Sequence, residues 1–126
     1  MKYLMMAYTN LAAWDEMDPA SPEFIAACEF YERLGTELTA TGELVSTEGL
    51  AHPALTRVVR KGADGAVAVD GPFAETKEVA ASFAIVDVAS HDRALEIAAR
   101  IVEALGEPIE VRPIGAGPED SMPPAP

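Results

Sequence analysis

Two stretches, residues 2–8 and 82–88, are apolar on both of their alternating faces, and this limits the folds open to the chain more than any other feature. In the first, Tyr3, Met5 and Ala7 fall on one face and Leu4, Met6 and Tyr8 on the other. In the second, Phe83 and Ile85 alternate with Ala84, Val86 and Val88. A strand of this kind is covered on both sides, so the sheet that holds it needs helices on one face and a second cover on the other.

The helices are present in the pattern. Ser21-Pro22-Glu23 supplies an N-cap hydroxyl, a proline at the first helical position and an acid at the positive end of the dipole. The spacing predicts a helix from there towards Thr41, with Gly42 as its stop and a stripe of Phe24, Cys28, Tyr31, Leu34 and Leu38 facing the core. Cys28 in that stripe reads as a buried, inert thiol. Ser90 caps a second helix, with Asp92 in its first turn, Ala94, Leu95, Ala98, Ile101, Val102 and Leu105 on its apolar face and Gly106 as its stop. His91 reads as a surface residue of that first turn.

Between the helices, Leu44–Pro53 reads as a connection and Leu55–Arg60 as the second strand. Ala66–Asp70 is the third strand, joined to the second by a hairpin turn at Asp64-Gly65. Ile109–Ile114 is a short fifth strand ended by Pro113. Residues 9–20 show no clean period and are expected to form a loop; Trp14 within it covers the core edge or lines a pocket. The ordered domain is placed at residues 1–114, and the Gly- and Pro-rich 115–126 is expected to be a flexible tail. The strand and helix order is that of a ferredoxin-like βαββαβ α+β domain with an antiparallel sheet and an extra short C-terminal strand. The bare face of that sheet would be covered by a second copy, giving a homodimer.

Composition excludes several function classes. The formal charge of −12, from 21 acids against 9 bases, opposes direct binding to nucleic acid or anionic membrane. One cysteine makes no internal disulfide, no stretch approaches the roughly 20 apolar residues of a membrane span, and no segment reads as a signal peptide, so a cytoplasmic location is expected. There is no cluster with metal-ligand spacing, no phosphate loop and no Gly-x-Ser-x-Gly elbow, so no cofactor is expected.

The third strand stops abruptly at Asp70-Gly71-Pro72, followed by Phe73-Ala74-Glu75-Thr76-Lys77-Glu78. Asp70, partly desolvated at a strand end, is the candidate general acid or base. Glu75 or Glu78 is the second carboxylate, and Lys77 and Arg112 are the cations that would hold an anionic carboxylate or enolate. The same residues also read as a structural lock, since aspartate before glycine is a turn former and exposed ion pairs contribute little. His52, just ahead of Pro53, either reaches a cleft or lies on the surface.

This block resembles the signature of the YCII-related proteins, in particular their DGPF branch, and Glu110-Val111-Arg112-Pro113-Ile114 resembles a segment near the end of many of them. The resemblance implies a dimeric α+β barrel with a cleft between sheet and loops, and it draws attention to Asp70 because an aspartate and a histidine form a proposed active-site pair in the broader group. Many relatives have paired glycines where this chain has Ala81-Ser82. Two functions remain open. One is a cofactor-independent proton-transfer, isomerase or lyase-type enzyme acting on a small anionic or carbonyl metabolite; the other is a regulatory or accessory module with a protein partner, associated with an extracytoplasmic-function sigma factor.

Overall fold

The computed structural model describes residues 1–71 and 77–125. Four strands form the main sheet: β1 (Lys2–Asn10), β2 (Leu44–Gly49), β5 (Glu78–Asp87) and β6 (Ile109–Pro113), in the order β2-β5-β1-β6 with every neighbour antiparallel. Helix α2 (Pro22–Ala40) connects β1 to β2, and α3 (His91–Leu105) connects β5 to β6. Each connection skips one strand of the sheet. That is the ferredoxin-like arrangement.

The expected strand set is corrected in one respect. The strand after α2 is β2, in the segment expected to be a connection. The two strands expected next, here β3 (Arg57–Gly62) and β4 (Gly65–Asp70), pair with each other as a separate two-stranded sheet. β2 escapes a reading by alternation because it is an edge strand with a register shift between Leu44 and Ser46, which throws Val45 out of the pairing with β5. The expected loop at 9–20 likewise contains a short helix, α1 (Leu11–Asp15). The tail forms a 3-10 turn at Pro118–Ser121, where Asp120 Oδ2 accepts from the amides of Ala116 and Gly117.

The core lies between the helices and one sheet face. Tyr3, Met5, Val86 and Val88 from the sheet meet Leu34 and Leu38 of α2 and Ala94, Ile97, Ala98 and Ile101 of α3. The caps behave as their sequence dictates. Ser21 Oγ accepts from the Phe24 amide, Ser90 Oγ accepts from the Arg93 amide, and Gly42 and Gly106 take φ of 79° and 77° at the helix ends. Two details of the helix faces differ from expectation. On α3 Ile97 joins Ala94, Ala98 and Ile101 in the core, while Leu95 and Val102 are exposed. On α2 Cys28 is exposed, because the inward line runs through Ala27, Tyr31, Leu34 and Leu38 and Cys28 stands one residue, about 100°, off it.

Two ion-pair clamps fasten α3 to the rest. Arg93 grips Glu43 in two-pronged fashion at 2.9 Å on both sides, and Thr41 Oγ1 donates to the same carboxylate at 2.8 Å. Arg93 holds the Glu43 carboxyl down at about 2. Arg100 makes the same fork with Glu37 of α2, at 3.0 and 2.8 Å. The other sheet face presents Leu4 and Met6 of β1 and Phe83 and Ile85 of β5, all half-buried and none part of the core cluster.

Candidate functional site

Asn10 ends β1 and caps α1, its Oδ1 accepting from the Ala13 amide at 3.2 Å. The single turn of α1 presents Trp14 and Asp15 in succession, about 100° apart, so their side chains leave the helix in different directions. Asp15 meets His52, with 2.6 Å between Oδ1 and the ring Nε2. Trp14 stands edge-on to the same imidazole, with ring centroids 5.5 Å apart.

His52 is held by the turn it caps. Pro53 starts a 3-10 turn, Pro53–Leu55, for which His52 is the N-cap, and its Nδ1 accepts from the Ala54 amide at 3.0 Å. An amide can only donate, so Nδ1 is the acceptor nitrogen and the ring proton sits on Nε2, facing Asp15. Both ring nitrogens are therefore committed. Asp15 uses one oxygen, and among the described residues nothing bonds its Oδ2.

The signature brackets this pair. At its start Gly71, at a φ of 89°, donates its amide to Thr56 O at 2.8 Å, four residues beyond His52. At its other end Lys77 O accepts from the Leu11 amide at 2.9 Å, four residues before Asp15. The φ of Gly71 explains the glycine: a side chain there is strained whatever space surrounds it.

The residues nominated from sequence lie around, rather than in, this cluster. Asp70 ends β4, which is exposed along its whole length, and its side chain is 89% exposed. The expected desolvation is absent, and the cation beside it is Arg57, with Nε 3.0 Å from Oδ1, rather than Lys77 or Arg112. Glu75 falls outside the described residues. Lys77 is exposed, and Glu78 opens β5 opposite Asn10. Arg112 lies on the edge strand β6 opposite Leu4 and lines a separate cavity of about 810 Å³ shared with Lys2 and Asp120. Asp15 was missed because it sits in a segment without periodicity; the one local signal was Asn10, a good N-cap ahead of Leu11.

A cleft of about 630 Å³ opens next to Trp14. It lies beneath the N-terminal half of α2, whose residues up to Tyr31 are half-buried or exposed while Leu34 and Leu38 are buried. Its floor is the bulge in β5: Ala7 of β1 pairs with Ser82 and Tyr8 with Ala80, so Ala81 has no partner on β1. Ala81 and Ser82 both line the cleft. Tyr31 stands over Ser82 on the cleft wall, and burial pushes its phenol above the ordinary value. Among the described residues no three His, Cys, Asp or Glu side chains are grouped to hold a metal ion.

The model of the YCII-related domain matches residues 1–115. The chain belongs to the YCII-related family. No curated protein matches it. Within this YCII-related chain no described helix is long and apolar enough to cross a membrane.

Proposed function

We propose that this YCII-related protein binds a small carbonyl-bearing molecule across the mouth of the cleft under α2, reaching past Trp14 to Asp15, which lies next to the cleft wall rather than on it, and moves a proton on it without a cofactor, Asp15 being the acid/base and His52 its positioning partner. The observation that carries the reading is the Asp15–His52 pair. The imidazole is fixed by the Ala54 amide on one side and gives its only proton to Asp15 on the other, which leaves Asp15 Oδ2 unengaged among the described residues. Trp14 joins the two parts, lining the cleft with its ring while flanking the imidazole. Tyr31 of α2 and Ser82 of β5 bring hydroxyls to the cleft wall, suited to a carbonyl oxygen.

Asp70 takes the other role read from its sequence. It and Gly71 hold the end of β4 on the segment that carries His52, through Arg57 and Thr56. The carbonyl part of the sequence expectation suits this cleft better than the anionic part, since its charged wall residues are Glu16, Asp18, Glu23 and Glu107. The test is solvent exchange: a panel of enolisable carbonyl compounds is incubated with the protein in deuterium oxide, and loss of the α-proton is followed by NMR. Exchange that Asp15→Asn abolishes and Asp70→Asn leaves intact supports the reading; exchange indifferent to Asp15→Asn removes it.

A second copy is the proposed cover for the open sheet face. Leu4, Met6, Phe83 and Ile85 form a contiguous apolar centre there, with Glu110 and Arg112 on one flank and Ser46 and Glu48 on the other. An apolar centre with a polar rim is the composition of a stable protein interface.

A further inference from the structure

Behind the cleft at Trp14 lies a second one of about 360 Å³, walled by Met5, Leu34, Leu38, Val86 and Ile97. Tyr31, Ser82 and Ile101 belong to the walls of both, so the two lie end to end beneath α2, from Trp14 towards Leu44, with Tyr31 and Ser82 at the constriction between them. Gly35 lies on the wall of the inner part, and a Cβ there would meet nothing within 4 Å. The inner part is mostly apolar, with Thr47 and Glu48 at its β2 edge, and the outer part is charged in one sense only. Glu16, Asp18, Glu23 and Glu107 line the outer part, and no lysine or arginine is among the described wall residues of either. The arginines packed along α3 do not compensate them, since Arg93 is engaged by Glu43 and Glu96 and Arg100 by Glu37. An anionic ligand is repelled here, and a neutral one leaves the four acids without a counter-charge.

We propose that the two clefts together take an organic ammonium ion with an elongated apolar body, its charge among the outer acids beside Trp14 and its body passing Tyr31 into the inner chamber. Carboxylates and an indole face together attract an ammonium, and the inner chamber gives the body a dry wall of aliphatic side chains. This rests on the reading of the cleft as the ligand site and adds the class of ligand. It also suits the chemistry proposed for Asp15, because a positive charge on the substrate itself would balance the negative charge that develops when a proton leaves carbon.

Trp14 is the only tryptophan in the chain and reports on the outer part directly. Its fluorescence is titrated with 4-phenylbutylamine, 4-phenylbutanol and 4-phenylbutyrate, three heads on one body. The amine is expected to bind about tenfold more tightly than the alcohol, and the carboxylate weakest. Replacing both Glu23 and Glu107 by Gln should remove most of the amine's advantage, whereas Glu29→Gln, on the exposed side of α2, should not. Gly35→Leu, which fills the inner chamber and favours the helix, should weaken the amine and the alcohol alike and leave ethylamine unchanged. Equal affinities for amine and alcohol would overturn the proposal, as would a loss of selectivity in Glu29→Gln equal to that in the double variant, which would mean general attraction to an acidic chain. The two readings fail separately. Amine-selective binding without α-proton exchange removes the proposed reaction and keeps this ligand class, while Asp15-dependent exchange on carbonyl compounds without amine selectivity does the reverse.

Discussion

The Nε2 of His52 lies 2.6 Å from Oδ1 of Asp15, across 37 residues of sequence, and the backbone on each side of the pair is tied to one end of the Asp70–Glu78 block. The Asp70–Glu78 block and the Asp15–His52 pair are thus parts of one local structure. The described ends of the block hold two segments in place, and those segments carry the proposed acid/base pair.

If Asp15 is the reacting group, Asp15→Asn should cut the proton-exchange rate by about 100-fold or more, the usual scale for a positioned acid/base. His52→Gln should lower the same rate less, because it removes the partner that aims the carboxylate and leaves the carboxylate itself. Both side chains are substantially exposed, so thermal denaturation should show a loss within about 1 kcal/mol for either. A large loss of stability in both would assign the pair to structure.

Gly71→Ala places a side chain at a φ of 89°, at a strain of about 1–2 kcal/mol. It should lower the melting temperature and, by loosening the Gly71–Thr56 bond, reduce exchange as well. Asp70→Asn should change stability by no more than about 0.5 kcal/mol, since the Asp70–Arg57 pair is solvent-exposed. Calorimetry on the two variants side by side checks the contrast.

Acid should reveal the Glu43–Arg93 clamp. The folded protein holds Glu43 at about 2, below the ordinary carboxylate value of 4.5. A lowered acid contributes its stability in full above the unfolded value and loses it as the pH falls from about 4.5 through about 2. Glu37 is lowered by Arg100 and acts in the same direction. Denaturant melts between pH 7 and pH 2 should therefore show declining stability over this range, with a shallower decline in Glu43→Gln. Arg93→Ala, which strips the partner from a half-buried Glu43, should cost about 1 kcal/mol at pH 7.

A charge in the middle of the open sheet face should be tolerated by a monomer and not by a face-to-face dimer. Light scattering after size-exclusion chromatography is expected to give twice the chain mass for the wild type and the chain mass for Phe83→Asp. A monomeric wild type at micromolar concentration would remove the proposed homodimer.

The sequence alone determined what depends on neighbours along the chain. Ser21, Gly42, Ser90 and Gly106 mark the helix ends because a cap needs only a hydroxyl or a positive φ within one turn. Strands β1 and β5 are legible because both their faces are apolar, and the β3–β4 turn because Asp64-Gly65 is turn chemistry. Only the tertiary structure decided what depends on residues far apart. β2 is a strand because β5 offers it an edge, despite a bulge that spoils its alternation. Cys28 is exposed because α2 meets the sheet along a line one residue away. Asp15 and His52 carry no local mark of their roles, since neither helix periodicity nor strand alternation governs a single turn after Asn10 or the residue before Pro53. Their pairing results from the way β1, β5 and the two ends of the signature hold those two turns side by side.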